Sequence, residues 1–189
     1  HLFALCEQFD FPRGRLILGG DHLGPSPWQD EPAAEAMKRA HRLVSDCVAA
    51  GYQKIHLDAS MPLGDDPQHL SRSVVANRAA ELAATAERAF AEQGQGRPPL
   101  YVIGTEVPVP GGAQATTEEM VVTRPADVEE TITLTEQAFA ERGLQAAWQR
   151  VIAVVVQPGV EFGDREIHEY QPEGSADLSR FIETYDHLV

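Results

Sequence analysis

The sequence is short of positive charge. Fifteen lysines and arginines stand against 29 aspartates and glutamates, a formal net charge of −14. That balance argues against nucleic acid or an anionic membrane as a partner. Cysteine is nearly absent: Cys6 and Cys47 form neither a disulfide framework nor a metal-ligand spacing. Cys47 falls on the apolar side of a helical pattern, where a free thiol packs as a small hydrophobe, and a reducing cytoplasm is the expected compartment. No apolar run approaches the roughly 20 residues of a membrane span, and no signal peptide opens the chain. Motifs are missing too. Without G-x-x-x-x-G-K-[ST], or G-x-G-x-x-G after a strand, nucleotide and dinucleotide chemistry lose their usual support. No G-x-S-x-G elbow offers a serine nucleophile.

What is present is an alternation. Arg15–Gly20, Lys54–Asp58, Leu100–Gly104 and Val151–Gln157 read as strands, aliphatic throughout rather than every second residue, as in parallel sheets covered on both faces. A helix lies after the first, with Asp30 as its cap, Pro32 in its first turn, an apolar stripe from Ala36 to Val48 and an end at Gly51. A second carries Val75, Ala79, Leu82, Ala83, Ala86 and Phe90 and stops near Gly94. A third begins at Pro125, faces inward with Val128, Ile132, Thr135 and Phe139, and ends at Gly143. Strict strand–helix alternation predicts an α/β array of parallel βα units in one domain over residues 1–189. A doubly wound sheet and a (β/α)8 barrel both fit. Four units are half of a barrel of about 250 residues, and a half-sheet with bare edges is expected to be an excerpt of a larger protein.

In either architecture a site lies beyond the carboxyl ends of the strands, and each end here is polar. The first reads LILGGDHLGP, placing Asp21 and His22 side by side after two glycines that free the backbone to turn both inward. The second reads IHLDAS. Strand parity sends Ile55 and Leu57 toward the helices, Asp58 to the mouth of the inner face and His56 one layer deeper. Asp58 also suits a cap for the next turn, and His56 a hydrogen-bonded structural role. In GTEVPVPGG, Glu106 follows Val102 and Gly104 in parity and is held between a Gly-Thr pair and a stiff Val-Pro-Val-Pro run. In QPGVEFG, Gln157 follows Ala153 and Val155. The other histidines, His1, His41, His69, His168 and His187, read as surface or terminal residues.

The phrases LILGGDHLGP, KIHLDASM, YVIGTEVPVPGG and RVIAVVVQPGVEFG, in this order, closely resemble the accessory, non-catalytic subunit family of class II D-tagatose-1,6-bisphosphate aldolase. That family borders on tagatose and tagaturonate 4-epimerases, and some members carry the label tagatose-6-phosphate kinase. The resemblance implies an aldolase-type (β/α)8 TIM barrel, of which this chain is about half. It implies a catalytic aldolase subunit of the same fold as partner, and a phosphorylated or free ketohexose as substrate. It further implies a role in galactitol, tagatose or N-acetylgalactosamine breakdown, supporting cleavage to glycerone phosphate and glyceraldehyde 3-phosphate. Asp21 and His22 match an Asp-His pair in which the acid shuttles a proton and the histidine binds the metal, zinc with manganese as the alternative. Glu106 resembles an acid on a later strand, with both catalytic and metal roles. Gln157 stands near a second zinc histidine; glutamine is a poor zinc ligand, so it joins Asp58 as a substrate-binding candidate. The rival reading is a divalent-metal ketohexose or uronate 4-epimerase using Asp21 and Glu106 as acid and base.

Overall fold

In the computed structural model, which describes residues 1–94, 96–104, 122–162, 167–186 and 188, four parallel strands form one sheet in sequence order. They are β1 (Gly19–Leu23), β2 (Lys54–Leu57), β3 (Leu100–Gly104) and β4 (Val151–Val155). Every neighbouring pair is parallel. Preceding the sheet is α1 (Leu2–Gln8), and between strands lie α2 (Ala33–Ala49), α3 (Arg72–Gln93), α4 (Pro125–Glu141) and the single turn α5 (Gln145–Trp148). A two-stranded antiparallel ribbon, β5 (Glu161–Phe162) with β6 (Ile167–His168), and α6 (Pro172–Ile182) follow.

The core is the layer between sheet and helices. Ile55, Leu57, Tyr101, Ile103, Val151 and Val154 pack with Ala40, Val44 and Val48 of α2, Leu82 and Ala86 of α3, and Ile132 and Phe139 of α4. The parity of β2 and β3 is therefore as expected. In β4 the pairing shifts between Tyr101 and Val102, so Val151 and Val154 both reach the helices across three residues instead of two. The central helix α3 buries mostly alanine (Ala76, Ala79, Ala80, Ala83, Ala86, Ala89), which lets α2 and α4 pack closely on either side of it. It is capped by Ser71 and ends at Gly94 with φ 66°.

Three expectations are corrected. The first strand begins at Gly19, four residues beyond the expected Arg15, because its ladder starts only where β2 runs alongside. Gln53 N–H and Lys54 N–H both donate to Leu18 O, at 2.8 and 3.2 Å, while Ile17 stays 69% exposed. Asp30 does not cap α2. The Ala33 N–H instead donates to Asp65 Oδ1 at 2.6 Å, from the loop after β2. His41, read as a surface residue, is half-buried and bonds Thr85 Oγ1 at 2.8 Å.

The β2–α3 loop is a brace. Asp66 accepts from Leu63 N–H at 2.8 Å and takes a bidentate pair from Arg78 at 2.7 Å, with both side chains only 11% exposed. Gly64 N–H donates to Glu31 O at 2.8 Å, and a Cβ at Gly64 would lie 2.7 Å from Asp30 O. This ties the start of α2 to α3. The Arg78 hydrogen bonds, against some opposition from burial, hold the Asp66 carboxyl below its ordinary value. A depressed carboxylate stabilises the fold above its unfolded pKa and loses that contribution as pH falls through the folded value. Asp66→Asn is expected to cost about 3–5 kcal/mol at neutral pH, the scale for stranding a buried partner charge. Urea unfolding should show the gap from wild type closing below the ordinary aspartate range, near pH 3.8.

Candidate metal centre

Three polar side chains meet on the sheet face turned away from the helices. Asp21, His22 and His56 each offer one ligand atom, and all three atoms lie within 4.8 Å of one another. Asp21 Oδ1 is 3.1 Å from His56 Nδ1, and the two imidazole rings have centroids 4.9 Å apart. Among the described residues no other group of three such side chains converges in this way.

The backbone explains how neighbours 21 and 22 share a face. The β1–β2 register slips between Gly20 and Leu23, and inside the slip His22 takes φ 49°. Left-handed backbone is uncommon for a residue with a Cβ, and a bulge re-aims the side chain it carries. The preceding glycines were expected to supply this freedom, but the histidine itself turns. Gly24 then fixes the strand end: a Cβ there would lie 1.5 Å from Asp58 O, so only glycine lets β1 close on the residue after β2. Gly104, with φ 87°, ends β3 at a point where a Cβ would meet Val155 O at 2.6 Å. Its own carbonyl faces His56 Nε2 at 3.3 Å.

Electrostatically the centre is a carboxylate among nitrogens. Desolvation pushes the Asp21 carboxyl upward, but hydrogen bonds from Lys54, whose Nζ is 3.1 Å away, and from His56 outweigh it, together with the charges of Lys54 and His22. The carboxyl stays below its ordinary value and is ionised at neutral pH. Among the described residues, the buried His22 Nε2 has no hydrogen-bond partner. A buried nitrogen left unpaired costs free energy, and a carboxylate and two imidazoles are a donor set that suits first-row divalent metals. The residues present therefore fit a divalent cation.

The other expected site residues are occupied differently. Asp58, 3% exposed, turns back on its own chain: its Oδ1 accepts from Ser60 N–H at 3.2 Å and Ser60 Oγ–H at 2.8 Å. Gln157, 4% exposed, accepts the Gly159 and Val160 amides at Oε1, at 2.8 and 3.2 Å. Its own N–H donates to Thr123 Oγ1 at 2.8 Å. Glu106 lies outside the described residues. His56, read from sequence as one layer deeper, is the member that joins Asp21 and His22. Its signal was parity, since it shares a face with Lys54 and Asp58.

A family model matches residues 1–189, that of the D-tagatose-1,6-bisphosphate aldolase subunit GatZ/KbaZ-like proteins. The chain belongs to that family. A solved structure described as "a probable tagatose 6 phosphate kinase from Sinorhizobium meliloti 1021" is 38% identical and superposes with a TM-score of 0.84. The match covers 100% of this chain and 43% of that one, so the chain spans less than half of that relative's length. In this GatZ/KbaZ-like chain the four parallel βα units are a partial TIM barrel, and their inner face is the face that carries Asp21, His22 and His56.

The strained histidine separates binding from stability. Asparagine tolerates left-handed backbone, so His22→Asn is expected to keep the unfolding free energy within about 1 kcal/mol of wild type. The same change should abolish Co²⁺ binding, followed by the cobalt absorption band.

Proposed function

We propose that this chain is part of an accessory subunit of D-tagatose-1,6-bisphosphate aldolase, cytoplasmic and active in galactitol, tagatose or N-acetylgalactosamine breakdown. It supports a catalytic subunit of the same fold as that partner cleaves the sugar bisphosphate to glycerone phosphate and glyceraldehyde 3-phosphate. The observation that carries the reading is Gln157. The resemblance puts a zinc histidine at this place, and here a glutamine stands with its carbonyl turned into the Gly159–Val160 turn. A full class II ligand set is thus incomplete. Asp58 holds Ser60 through Oδ1 alone, and Asp58 and Gln157 are assigned to contact the sugar.

The retained chemistry is that of Asp21 and His22. A divalent metal at His22, zinc with manganese as the alternative, would supply polarisation of a sugar oxygen. Asp21, kept ionised by Lys54 and His56, is the group that accepts or returns a proton beside it. Glu106 is assigned as the companion acid, with a share in holding the metal. Membership in the tagatose-bisphosphate aldolase subunit family supports the aldolase setting.

One observation favours a second reading. A pure scaffold has no use for a histidine at φ 49° with a buried, unpaired nitrogen. It suits an enzyme in its own right, a divalent-metal ketohexose or uronate 4-epimerase with Asp21 and Glu106 as acid and base. Asp21→Asn distinguishes the two. In the accessory role, aldolase turnover by the assembled complex stays near wild type. In the epimerase role, ketose epimerisation by the protein alone falls by roughly 10²–10⁴, the value of a positioned proton shuttle. Loss of aldolase turnover in a correctly assembled complex would overturn the accessory role.

A further inference from the structure

We infer that the divalent cation is held by His56 and Asp21 together with His22, a two-histidine, one-carboxylate set in which His56 ligates through Nδ1. This rests on the metal chemistry proposed above and departs from the His22–Glu106 assignment that the resemblance implies. It also makes Asp21 a ligand as well as a proton carrier.

His56 Nε2 lies 3.3 Å from Gly104 O, and a nitrogen bonded to a carbonyl carries a hydrogen. Nδ1 lies 3.1 Å from Asp21 Oδ1, where in the metal-free protein a hydrogen bridges the two and helps keep the carboxyl ionised. A divalent cation between them replaces that hydrogen and meets both ligand atoms. The spacing is that of two ligands on one ion: bonds of about 2.0–2.2 Å separate adjacent ligand atoms by roughly 3.0–3.4 Å. His22, strained at φ 49° and with its buried Nε2 unpaired among the described residues, supplies the third ligand atom, a ring nitrogen within 4.8 Å of the other two.

The surroundings are those of a ligand histidine. Metal-bound histidines usually donate their second N–H to a carbonyl or carboxylate, which fixes the ring; Gly104 O plays that part for His56. His56 is 2% exposed and locked in the strand, while Asp21 is the open member, its side chain 66% exposed. Two histidines and a carboxylate leave coordination positions free. Those positions suit two adjacent oxygens of a ketose, its carbonyl and a neighbouring hydroxyl. Lys54 Nζ, also 3.1 Å from Asp21 Oδ1, is the protein's own rival cation.

The test uses the full chain and metal ions alone. ¹⁵N histidine NMR of the wild type, titrated with Zn²⁺, should move His56 Nδ1 and a His22 ring nitrogen together while His56 Nε2 keeps its hydrogen. In Co²⁺ titrations His56→Gln should weaken binding by at least the roughly 10–100-fold that loss of an outer-shell partner costs. Lys54→Gln, at a half-exposed position, should tighten it. If Zn²⁺ binds and His56 Nδ1 does not move, the assignment is overturned although the metal reading stands. Lost Co²⁺ binding in Glu106→Gln with an unmoved His56 would overturn it in the same way. Unchanged or weaker Co²⁺ binding in Lys54→Gln would remove Asp21 from the ligand set. A wild type that binds neither ion defeats this inference and the metal reading together.

Discussion

A regular strand sends successive side chains to opposite faces, and β1 departs from that rule at one residue. With His22 at φ 49° inside a register slip, Asp21 and His22 reach His56 on the inner face instead of straddling the sheet. Left-handed backbone at a non-glycine residue costs of order 1–3 kcal/mol and persists where its surroundings over-determine it. Here they do. Gly24 admits the Asp58 backbone at a distance that forbids a Cβ, a Cβ at Gly20 would press on the Leu23 side chain of the same strand, and β2 is anchored behind them by the core residues Ile55 and Leu57. The candidate site therefore depends on the packing of the helical layer, although no helix contributes a side chain to it.

That dependence runs through the loop after β2. Asp65 caps α2 and Asp66 grips Arg78 of α3, so the loop that leaves Asp58 is tied to both helices. Asp58 itself holds Ser60 through Oδ1 within the same loop. At the opposite end of the strands, Arg150 bonds Glu87 at 2.7 Å and lies over the ring of Tyr101, whose hydroxyl also bonds Glu87. Burial, then the Glu87 carboxylate, raises the Tyr101 hydroxyl far above its ordinary value, so it stays a neutral donor. Polar groups brace both ends of the barrel segment, and the candidate site lies on the inner face.

Much of this was legible from residue types. Continuous aliphatic runs with helical patterns between them gave the parallel order, and stop signals such as Gly94 and Gly143 fell where the helices end. The start of β1 was not legible. Leu16–Leu18 has the hydrophobicity of a strand, but a ladder needs a neighbour, and β2 begins only opposite Gly19. The cap from Asp65 was hidden for a related reason, since it arrives from more than thirty residues away. The site was half legible. Asp21 and His22 stand out as a pair, whereas the bulge is a backbone angle that no residue type encodes, and without it His56 reads as a structural neighbour. Gln157 and Asp58 carried the right parity. Local backbone amides and a local hydroxyl satisfied them first.

The central claim is that one bulge gathers an aspartate and two histidines of a GatZ/KbaZ-like chain around a divalent cation. Anomalous X-ray diffraction from crystals of the protein grown with Zn²⁺, recorded on both sides of the zinc edge, tests it most directly. A zinc peak is expected on the inner face, about 2.0–2.2 Å from Asp21, His22 and His56, with His22 still in left-handed backbone. A peak held by other residues, or His22 in extended backbone pointing toward the helices, would contradict it.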